Sequence, residues 1–293
     1  MNSPLLFSVI VPTHQRNDLL AKCLDCLAPG VQTLPAQQYE VIVTDDGSQI
    51  TAEEMIRESY PWAKWVAGSR KGPAANRNNG ARFAQGEWLA FTDDDCLPEP
   101  EWLSALAEAT TGSALALEGA IHPVGDPNQD MAECPVNLTG GYFWSANVAV
   151  QKKLFETVSG FDPNYFLAAN EDTDLKLRLT SHTIIAFIPE ARIFHPVRLI
   201  SFKKKLFQMP IRWKAWEYHV KKNKQFLGYN NIFKYAILQY KYHSLCFLKR
   251  IQKKHYKATL ISLTNIVLGI PLNIIRIYLI PSLTPKKLKS NLT

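Results

Sequence analysis

The chain has 293 residues, 46% of them hydrophobic and 20% charged, so it can bury a substantial core and is unlike a disordered protein. The formal net charge of +7 is unevenly divided, because residues 1–195 hold 13 Lys and Arg against 25 Asp and Glu, whereas residues 196–293 hold 20 against one. Five cysteines, an odd number, argue against a disulfide scaffold and a structural zinc site.

The N-terminal segment does not resemble a signal peptide. Residues 5–11 are apolar, but no basic stretch precedes them and no small-residue cleavage site follows. We therefore expect the N-terminal part to lie in a reducing, cytosolic compartment. Cys23 and Cys26 form a Cys-x-x-Cys pair, but their helical spacing with neighbouring leucines favours a core face over a redox or metal site.

Short runs rich in valine and isoleucine alternate with helical patterns over the first 195 residues, which is typical of a layered α/β domain. We predict strands at residues 7–11, 39–44 and 88–92, and helices at residues 18–27 and 101–109. Polar or acidic residues follow each strand. Since ligands of open α/β sheets bind outside the carboxyl ends of strands, the sequence predicts a site at that edge.

From about residue 199 the chain becomes basic and aromatic, with apolar residues spaced to share one helical face. Pro210 interrupts this stripe, so we predict a kink or two consecutive short helices. The pattern fits both an amphipathic helix packed on the rest of the protein and a helix at a membrane surface. The residues of the stripe are Phe202, Leu206, Met209, Trp213, Trp216 and Val220.

Residues 258–275 carry no charged side chain, and basic residues lie on both sides of them. Their length is at the lower limit for a membrane-spanning helix, and Asn265, Pro271 and Asn273 weaken that interpretation. We favour a segment that lies in the membrane plane or re-enters it, held to anionic lipid by its cations, over a spanning helix or a soluble core helix. The flanking cations are Lys249, Arg250, Lys253, Lys254, Lys257, Arg276, Lys286, Lys287 and Lys289.

Two acidic clusters follow predicted strands. Asp93, Asp94 and Asp95 would raise each other's pKa unless a positive charge lies among them, and oxygen ligands suit Mg²⁺ or Mn²⁺. A solvated acidic turn is the alternative, and Asp45 and Asp46 before Gly-Ser also fit ordinary turn chemistry. Neighbouring strand ends converge on one crevice, however, so the two clusters together favour a binding site.

Six segments carry a family resemblance in their order and separation. They are residues 9–16 (VIVPTHQR), 43–48 (VTDDGS), 75–81 (ANRNNGA), 86–96 (GEWLAFTDDDC), 171–179 (EDTDLKLRL) and 188–196 (IPEARIFHP). The first two hundred residues thereby resemble the inverting family-2 glycosyltransferases. The resemblance implies an α/β fold of the GT-A type: a Rossmann-like mixed sheet flanked by helices, as in nucleotide-diphospho-sugar transferases. We place this domain at residues 1–198 and a basic, helical, membrane-associated region at residues 199–293.

The resemblance also implies roles for individual residues. Pro12, Thr13, Arg16 and Asp46 match positions that line the nucleotide pocket, with Asp46 as the partner of the base. Arg77 matches an arginine that approaches the diphosphate.

The acidic motifs match the remaining positions of the family pattern. Asp93 and Asp95 match the DxD aspartates that bind the metal, His195 matches a third metal ligand, and Asp94 lies with them beside the sugar nucleotide. Asp172 matches the catalytic base of inverting members, and we place Glu171 beside it to orient the acceptor. The structural alternatives are a histidine without a ligand role and an acidic first turn of a helix.

These residues predict a metal-dependent inverting transfer of one sugar, from a nucleotide sugar (a UDP sugar by the resemblance) to a glycan or lipid-linked acceptor in cell-surface polysaccharide biosynthesis. Polymer synthesis is disfavoured, because residues 208–213 (QMPIRW) contain one residue more than the Q-x-x-R-W of processive members. Residues 140–144 (GGYFW) form an aromatic segment that suits either sugar stacking or core packing. We expect the protein at the cytosolic membrane face, peripheral or anchored by its C-terminal region.

Three alternative functions are weighed against this one. A sugar nucleotidyltransferase needs a glycine-rich loop after the first strand, and residues 12–16 contain no glycine. A nucleic-acid-binding protein would use the basic C-terminal region, but the uncharged residues 258–275 favour lipid, so no nucleic-acid partner is expected. An inactive scaffold is not supported, because all the acidic motif positions are filled.

Overall fold

A computed structural model describes residues 5–165 and 167–279, so the predicted cations at positions 286, 287 and 289 lie outside the described residues. The described chain divides into two compact units. The first comprises the residues up to Gly125 together with Cys134–Val197, and the second comprises Asp126–Glu133 and the residues from Arg198 onward.

The first unit alternates strands and helices, as the sequence predicts. Its strands are β1 (Phe7–Thr13), β2 (Tyr39–Asp45), β3 (Lys64–Ala67), β4 (Trp88–Thr92), β5 (Leu97–Pro98), β6 (Ala116–Val124), β8 (Asn147–Gln151) and β9 (Ile185–Pro196); β7 (Ala132–Glu133) and β10 (Arg198–Leu199) pair in the second unit. Its helices are α1 (Asn17–Leu27), α2 (Glu53–Ser59), α3 (Pro73–Arg82), α4 (Trp102–Ala109), α5 (Lys152–Thr157) and α6 (Glu171–Leu179), with a 3₁₀ turn at Ala36–Gln38.

One eight-stranded sheet organises this unit, in the order β3-β2-β1-β4-β8-β6-β9-β5. The first four strands are mutually parallel, whereas β8 runs antiparallel to both β4 and β6. The register between β6 and β9 shifts between Gly119 and Ala120. The predicted α/β fold with a mixed sheet flanked by helices is therefore confirmed, and the parallel half turns the carboxyl ends of β1, β2 and β4 to one edge.

Burial explains why these segments form their elements. Every residue of β1 is buried, as expected for a parallel strand covered on both faces. Helix α1 buries Leu20, Cys23, Leu24 and Leu27, which share one helical face, so the core interpretation of Cys23 is confirmed. Burial raises the pKa of its thiol well above the ordinary value, so this cysteine stays protonated and unreactive.

The second unit is helical from Phe202 onward. Its elements are α7 (Phe202–Leu227), α8 (Ile232–Gln252), α9 (Tyr256–Thr264), a π-helical turn at Asn265–Gly269, α10 (Ile270–Ile274) and a second π-helical turn at Ile275–Leu279. Val220, Tyr235 and Ile277 form a small core. The helical C-terminal region predicted from the sequence is thus present.

Of the two arrangements predicted at Pro210, a kink or two consecutive short helices, the second is wrong. Helix α7 runs through Pro210, and non-helical backbone angles occur inside it only at Asn223. Proline removes the hydrogen bond to the carbonyl of Leu206, but Leu206 lies on an exposed face where water can replace that bond.

The final helical stretch, Tyr256–Tyr278, has a mean hydropathy of 1.8 and is the single described helix long and apolar enough to cross a membrane. One such helix is weak evidence for a membrane span, since the core helix of a soluble protein meets the same criteria.

Candidate active site

The carboxyl ends of β1 and β4 meet through Asp94. Thr13, the last residue of β1, donates a hydrogen bond of 2.7 Å to Asp94, and Arg16 donates through Nε at 3.0 Å and forms an ion pair through Nη2. Arg16 also lies 3.9 Å from Asp95. Asp94 has no exposed surface, and burial raises its pKa to about 6 despite the Arg16 charge. Three predicted site residues thus lie together, with Asp94 below the surface.

Arg77 connects two of the predicted acidic motifs. It projects from α3, its Nη2 lies 2.7 Å from Asp93, and its Nη1 lies 3.1 Å from Glu171. The side chain of Arg77 is only 4% exposed. Burial alone would raise the pKa of Asp93, but the charge and the hydrogen bond of Arg77, with the charges of His195 and Arg16, together lower that pKa below its ordinary value. One buried guanidinium therefore joins the end of β4 to the beginning of α6.

The two acids at the beginning of α6 have different surroundings. Glu171 is buried, and this burial, with the neighbouring Asp172 charge, raises its pKa to about 7. Asp172 is half-buried and accepts hydrogen bonds from the backbone N–H groups of Thr173 and Ser145. Burial raises the pKa of Asp172, and these N–H groups and Arg77 oppose the shift. Asp172, not Glu171, is the acid that can reach a ligand.

Asp95 and His195 face each other with a distance of 3.5 Å between Oδ1 and Nε2. The His195 Nδ1 lies 2.9 Å from the carbonyl of Pro196, which can only accept, so Nδ1 carries the proton and Nε2 is an acceptor. Burial lowers the pKa of His195, which favours the neutral ring. The Nε2 lone pair of the neutral ring faces a carboxylate, while Nδ1 is held by a carbonyl. This arrangement of imidazole and carboxylate suits the binding of a divalent metal ion.

Cys96 is grouped with Asp95 and His195 by distance, since their ligand atoms lie within 4.8 Å of one another. Burial raises the pKa of its thiol well above the ordinary value. A protonated thiol is a poor ligand for a hard cation, so the residues that fit Mg²⁺ or Mn²⁺ are the oxygen and imidazole donors.

Asp46 lies where β2 ends, and its backbone N–H donates to Thr13 at 3.0 Å. Its Oδ1 accepts the N–H of Arg70 at 2.7 Å, and burial raises its pKa. A Cβ at Gly68 would lie 2.2 Å from this oxygen, so only glycine permits the approach. Pro12 is buried within β1, one residue before Thr13.

One buried residue of this edge was not predicted. Glu118 on β6 accepts hydrogen bonds from the N–H groups of Gly141, Tyr142 and Phe143, and so fixes the loop that leads to Ser145. Phe143 is fully buried at a φ of 57°, a strained conformation for a bulky residue. Tyr142 stacks on Trp144 with ring centroids 4.6 Å apart. An isolated acid within the apolar run of β6 was the available sequence signal.

We expect Glu118→Gln to lower the free energy of unfolding by about 1–3 kcal/mol. The amide nitrogen of glutamine would face backbone N–H groups from which the carboxylate now accepts hydrogen bonds. Urea unfolding of the full chain measures this change. The matched control is Glu108→Gln, an exposed acid, for which we expect no more than about 0.5 kcal/mol. Equal effects of the two substitutions would contradict the role given to Glu118.

A comparison with known protein families identifies the family of residues 8–125. Residues 8–125 match the sequence profile of the family described as Glycosyl transferase family 2. The chain carries a glycosyltransferase family 2 domain. The predicted family is thereby confirmed, and the match favours a glycosyltransferase over the nucleotidyltransferase and nucleic-acid-binding alternatives.

Curated relatives of this family 2 domain come from different organisms. A validoxylamine A glucosyltransferase from Streptomyces hygroscopicus subsp. limoneus is 30% identical, with 61% of this chain and 49% of the relative covered. Glycosyltransferase AglE from Haloferax volcanii is 27% identical, with 68% of this chain and 69% of the relative covered. The chain spans about half the length of the validoxylamine A glucosyltransferases that it matches.

Solved structures share the fold. TarS residues 1–349 of S. aureus in complex with UDP gives a TM-score of 0.55 at 18% identity, covering 89% of this chain and 90% of that one. The mannosyltransferase PcManGT of Pyrobaculum calidifontis, in complex with GDP-Man and Mn²⁺, gives 0.54 at 18% identity, covering 93% and 74%. At this identity the similarity establishes the GT-A-like fold of the family 2 domain.

Proposed function

We propose that the protein is an inverting glycosyltransferase that moves a single sugar from a UDP sugar to a glycan or lipid-linked acceptor, with Mg²⁺ or Mn²⁺ as cofactor. The observation that carries this proposal is the ion pair of Arg77 with both Asp93 and Glu171. This ion pair holds the acidic end of β4, which we assign to the donor, close to the beginning of α6, which we assign to the acceptor. A reaction between two substrates requires that their binding sites be adjacent.

The donor side is assigned to the ends of β1, β2 and β4. In the proposal, Asp46 binds the base, Thr13 and the backbone of Pro12 line the nucleotide, and the exposed part of Arg16 faces the diphosphate. Asp94 was expected to touch the sugar nucleotide directly. Because it has no exposed surface, we assign it instead to the positioning of Arg16.

The metal is assigned to Asp95 and His195, which fit a divalent cation by their donor set, together with Asp93. When bound, the cation supplies positive charge to the leaving diphosphate. Arg77 and Arg16 add fixed positive charge from the protein at the same edge.

The acceptor side is assigned to α6. Asp172 takes the proton of the acceptor hydroxyl while the acceptor oxygen attacks C1 of the donor sugar. The attack comes from the face opposite the leaving diphosphate, so the configuration at C1 inverts. Its burial keeps the carboxylate more basic than one in water. Glu171 was expected to orient the acceptor, but its carboxylate is buried against Arg77, so we assign it to holding Arg77 and the beginning of α6.

The stacked pair of Tyr142 and Trp144 is a candidate platform for an acceptor sugar, since Tyr142 is 49% exposed and the loop that carries the pair also supplies the Ser145 N–H to Asp172. Sugar rings present apolar C–H faces that suit aromatic stacking. The proposal of a glycan or lipid-linked acceptor rests on this loop.

Association with the cytosolic membrane face, peripheral or through a C-terminal anchor, is also proposed, and exposed apolar side chains on α8 and on Tyr256–Tyr278 support it. The full chain should co-sediment with anionic vesicles in the absence of detergent, and less of it should co-sediment with neutral vesicles. Recovery of all the protein in the supernatant with both vesicles would contradict this part. The exposed residues include Phe233, Ile237, Leu245, Leu248, Leu260, Leu263, Val267 and Leu268.

The donor and metal assignments predict that UDP binding depends on Mn²⁺ and on Asp95. We expect calorimetric titration to show UDP binding with Mn²⁺ that weakens by about tenfold or more with chelator, and similarly in Asp95→Asn with Mn²⁺ present. The matched control is Asp126→Asn, an exposed aspartate, which should bind as the wild type does. UDP affinity that is unchanged by chelator and by Asp95→Asn would contradict both assignments.

A further inference from the structure

The helical unit forms a partly open cavity of about 630 Å³ between α7, α8 and the stretch Tyr256–Tyr278. This volume lies within the range of roughly 300–1,000 Å³ that is typical of ligand sites. Trp213, Trp216 and Tyr229 supply aromatic walls, while Arg250 and Asn273 supply polar ones. The proposed glycosyl transfer uses none of these residues, so the cavity requires its own explanation.

The cavity also carries more positive than negative charge. Arg250 donates to the carbonyl of Ala258 and to the Ser262 hydroxyl, and no carboxylate pairs with it among the residues that the structure describes. Lys205 and Arg212, which also line the cavity, share the single carboxylate of Glu133 at 2.8 Å and 3.6 Å. A guanidinium without a carboxylate partner favours a phosphate group.

Irregular helical backbone shapes the wall. The Trp213 Nε1 donates to Asn265 at 2.8 Å, and a Cβ at Gly269 would lie 2.6 Å from that nitrogen, so glycine alone lets the indole lie this close. Both partners of Trp213 belong to the π-helical turn Asn265–Gly269. Such turns occur frequently at functional sites.

We propose that this cavity binds one amphiphile that combines a phosphate group and a single apolar chain. The phosphate pairs with Arg250, and the chain packs against Trp213 and Trp216. The proposal does not depend on the transferase activity, since every residue that it uses lies in the helical unit.

Quenching of tryptophan fluorescence tests this proposal on the full chain. The probe is lysophosphatidic acid with a brominated acyl chain, used below its critical micelle concentration. We expect saturable quenching that is lost in the double variant Trp213→Phe and Trp216→Phe, because the other five tryptophans lie in the first unit. Quenching that survives in this variant would overturn the proposal, because the chain would then lie elsewhere.

Charge variants test the phosphate contact. Arg250→Gln should weaken binding of the probe by about tenfold or more, whereas the control Lys241→Gln, which removes an exposed charge on the same helix outside the cavity, should leave it unchanged. Equal weakening by Arg250→Gln and Lys241→Gln would overturn the proposal in favour of diffuse attraction.

Two further ligands separate a lipid from a free phosphate. The brominated monoacylglycerol of the same chain length, which lacks phosphate, should bind about tenfold more weakly than the probe. Glycerol 3-phosphate, which lacks the chain, should not displace the probe. Displacement at comparable concentration would overturn the proposal and identify a site for soluble phosphates.

A second variant keeps the test decisive if Arg250→Gln does not fold. Cys246→Phe places a phenyl ring at the cavity wall, where it should fill part of the space for the chain. It should weaken the binding of both chain-bearing ligands, while the helicity measured by circular dichroism is retained. A folded Cys246→Phe protein with unchanged affinity would overturn the proposal.

Discussion

Replacing Asp172 by asparagine is expected to lower the rate of sugar transfer by about 10²–10⁴-fold, the usual contribution of a general base. An amide cannot take the proton of the acceptor hydroxyl, whereas it keeps the size of the carboxylate, and its oxygen can still accept the N–H group of Thr173. Affinity for UDP should remain within about twofold of the wild type, because the donor side does not use Asp172. Steady-state transfer and UDP titration measure the two effects.

A matched control separates this effect from a general loss of acidic charge. Glu156→Gln removes an exposed acid on α5, outside the proposed site, and should leave the rate of transfer unchanged. If Asp172→Asn retained more than about a tenth of wild-type turnover, the base would have to be another group.

Replacing Arg77 by glutamine is expected to lower the free energy of unfolding by about 3–5 kcal/mol, because it leaves two acids, Asp93 and the buried Glu171, without their shared cation. The stacking of the guanidinium over the Phe161 ring, at 5.6 Å, is lost as well. Glu171→Gln should cost less, since a neutral amide can still accept from Arg77. Urea unfolding at constant salt measures both.

The control for this substitution is Arg57→Gln. Arg57 is also paired with carboxylates, but both it and its partners are largely exposed, so we expect a loss below about 1 kcal/mol. Similar losses for Arg77→Gln and Arg57→Gln would mean that the buried bridge between the two motifs does not hold this edge together.

Local patterns predicted much of the fold. The strands β1, β2 and β4 could be located because they are short, β-branched and followed by polar turns, and α1 because its apolar residues repeat at helical spacing. Their polar ends also located the site, since parallel strands deliver their carboxyl ends to one edge of the sheet.

Contacts between distant segments were beyond those patterns. Nothing near Arg77 in the chain indicates that it pairs with Glu171, 94 residues away, and nothing near Glu118 indicates the loop that it fixes. The same limit explains Asp94 and Glu171, which belong to acidic motifs yet are buried. At Pro210, local propensity predicted a kink or a break, but the helix continues through the proline, one turn after the exposed Leu206.

We propose that the edge formed by β1, β4 and α6 binds the donor and carries the chemistry of a glycosyltransferase. The most direct measurement is turnover of a panel of nucleotide sugars by the purified full chain, with Mn²⁺, with Mg²⁺ and with chelator, beside Asp95→Asn and Asp172→Asn. We expect metal-dependent turnover of one UDP sugar, lost in both variants, with UDP binding retained in Asp172→Asn. Turnover that persists in both variants, or in chelator, would contradict the assignment of this edge.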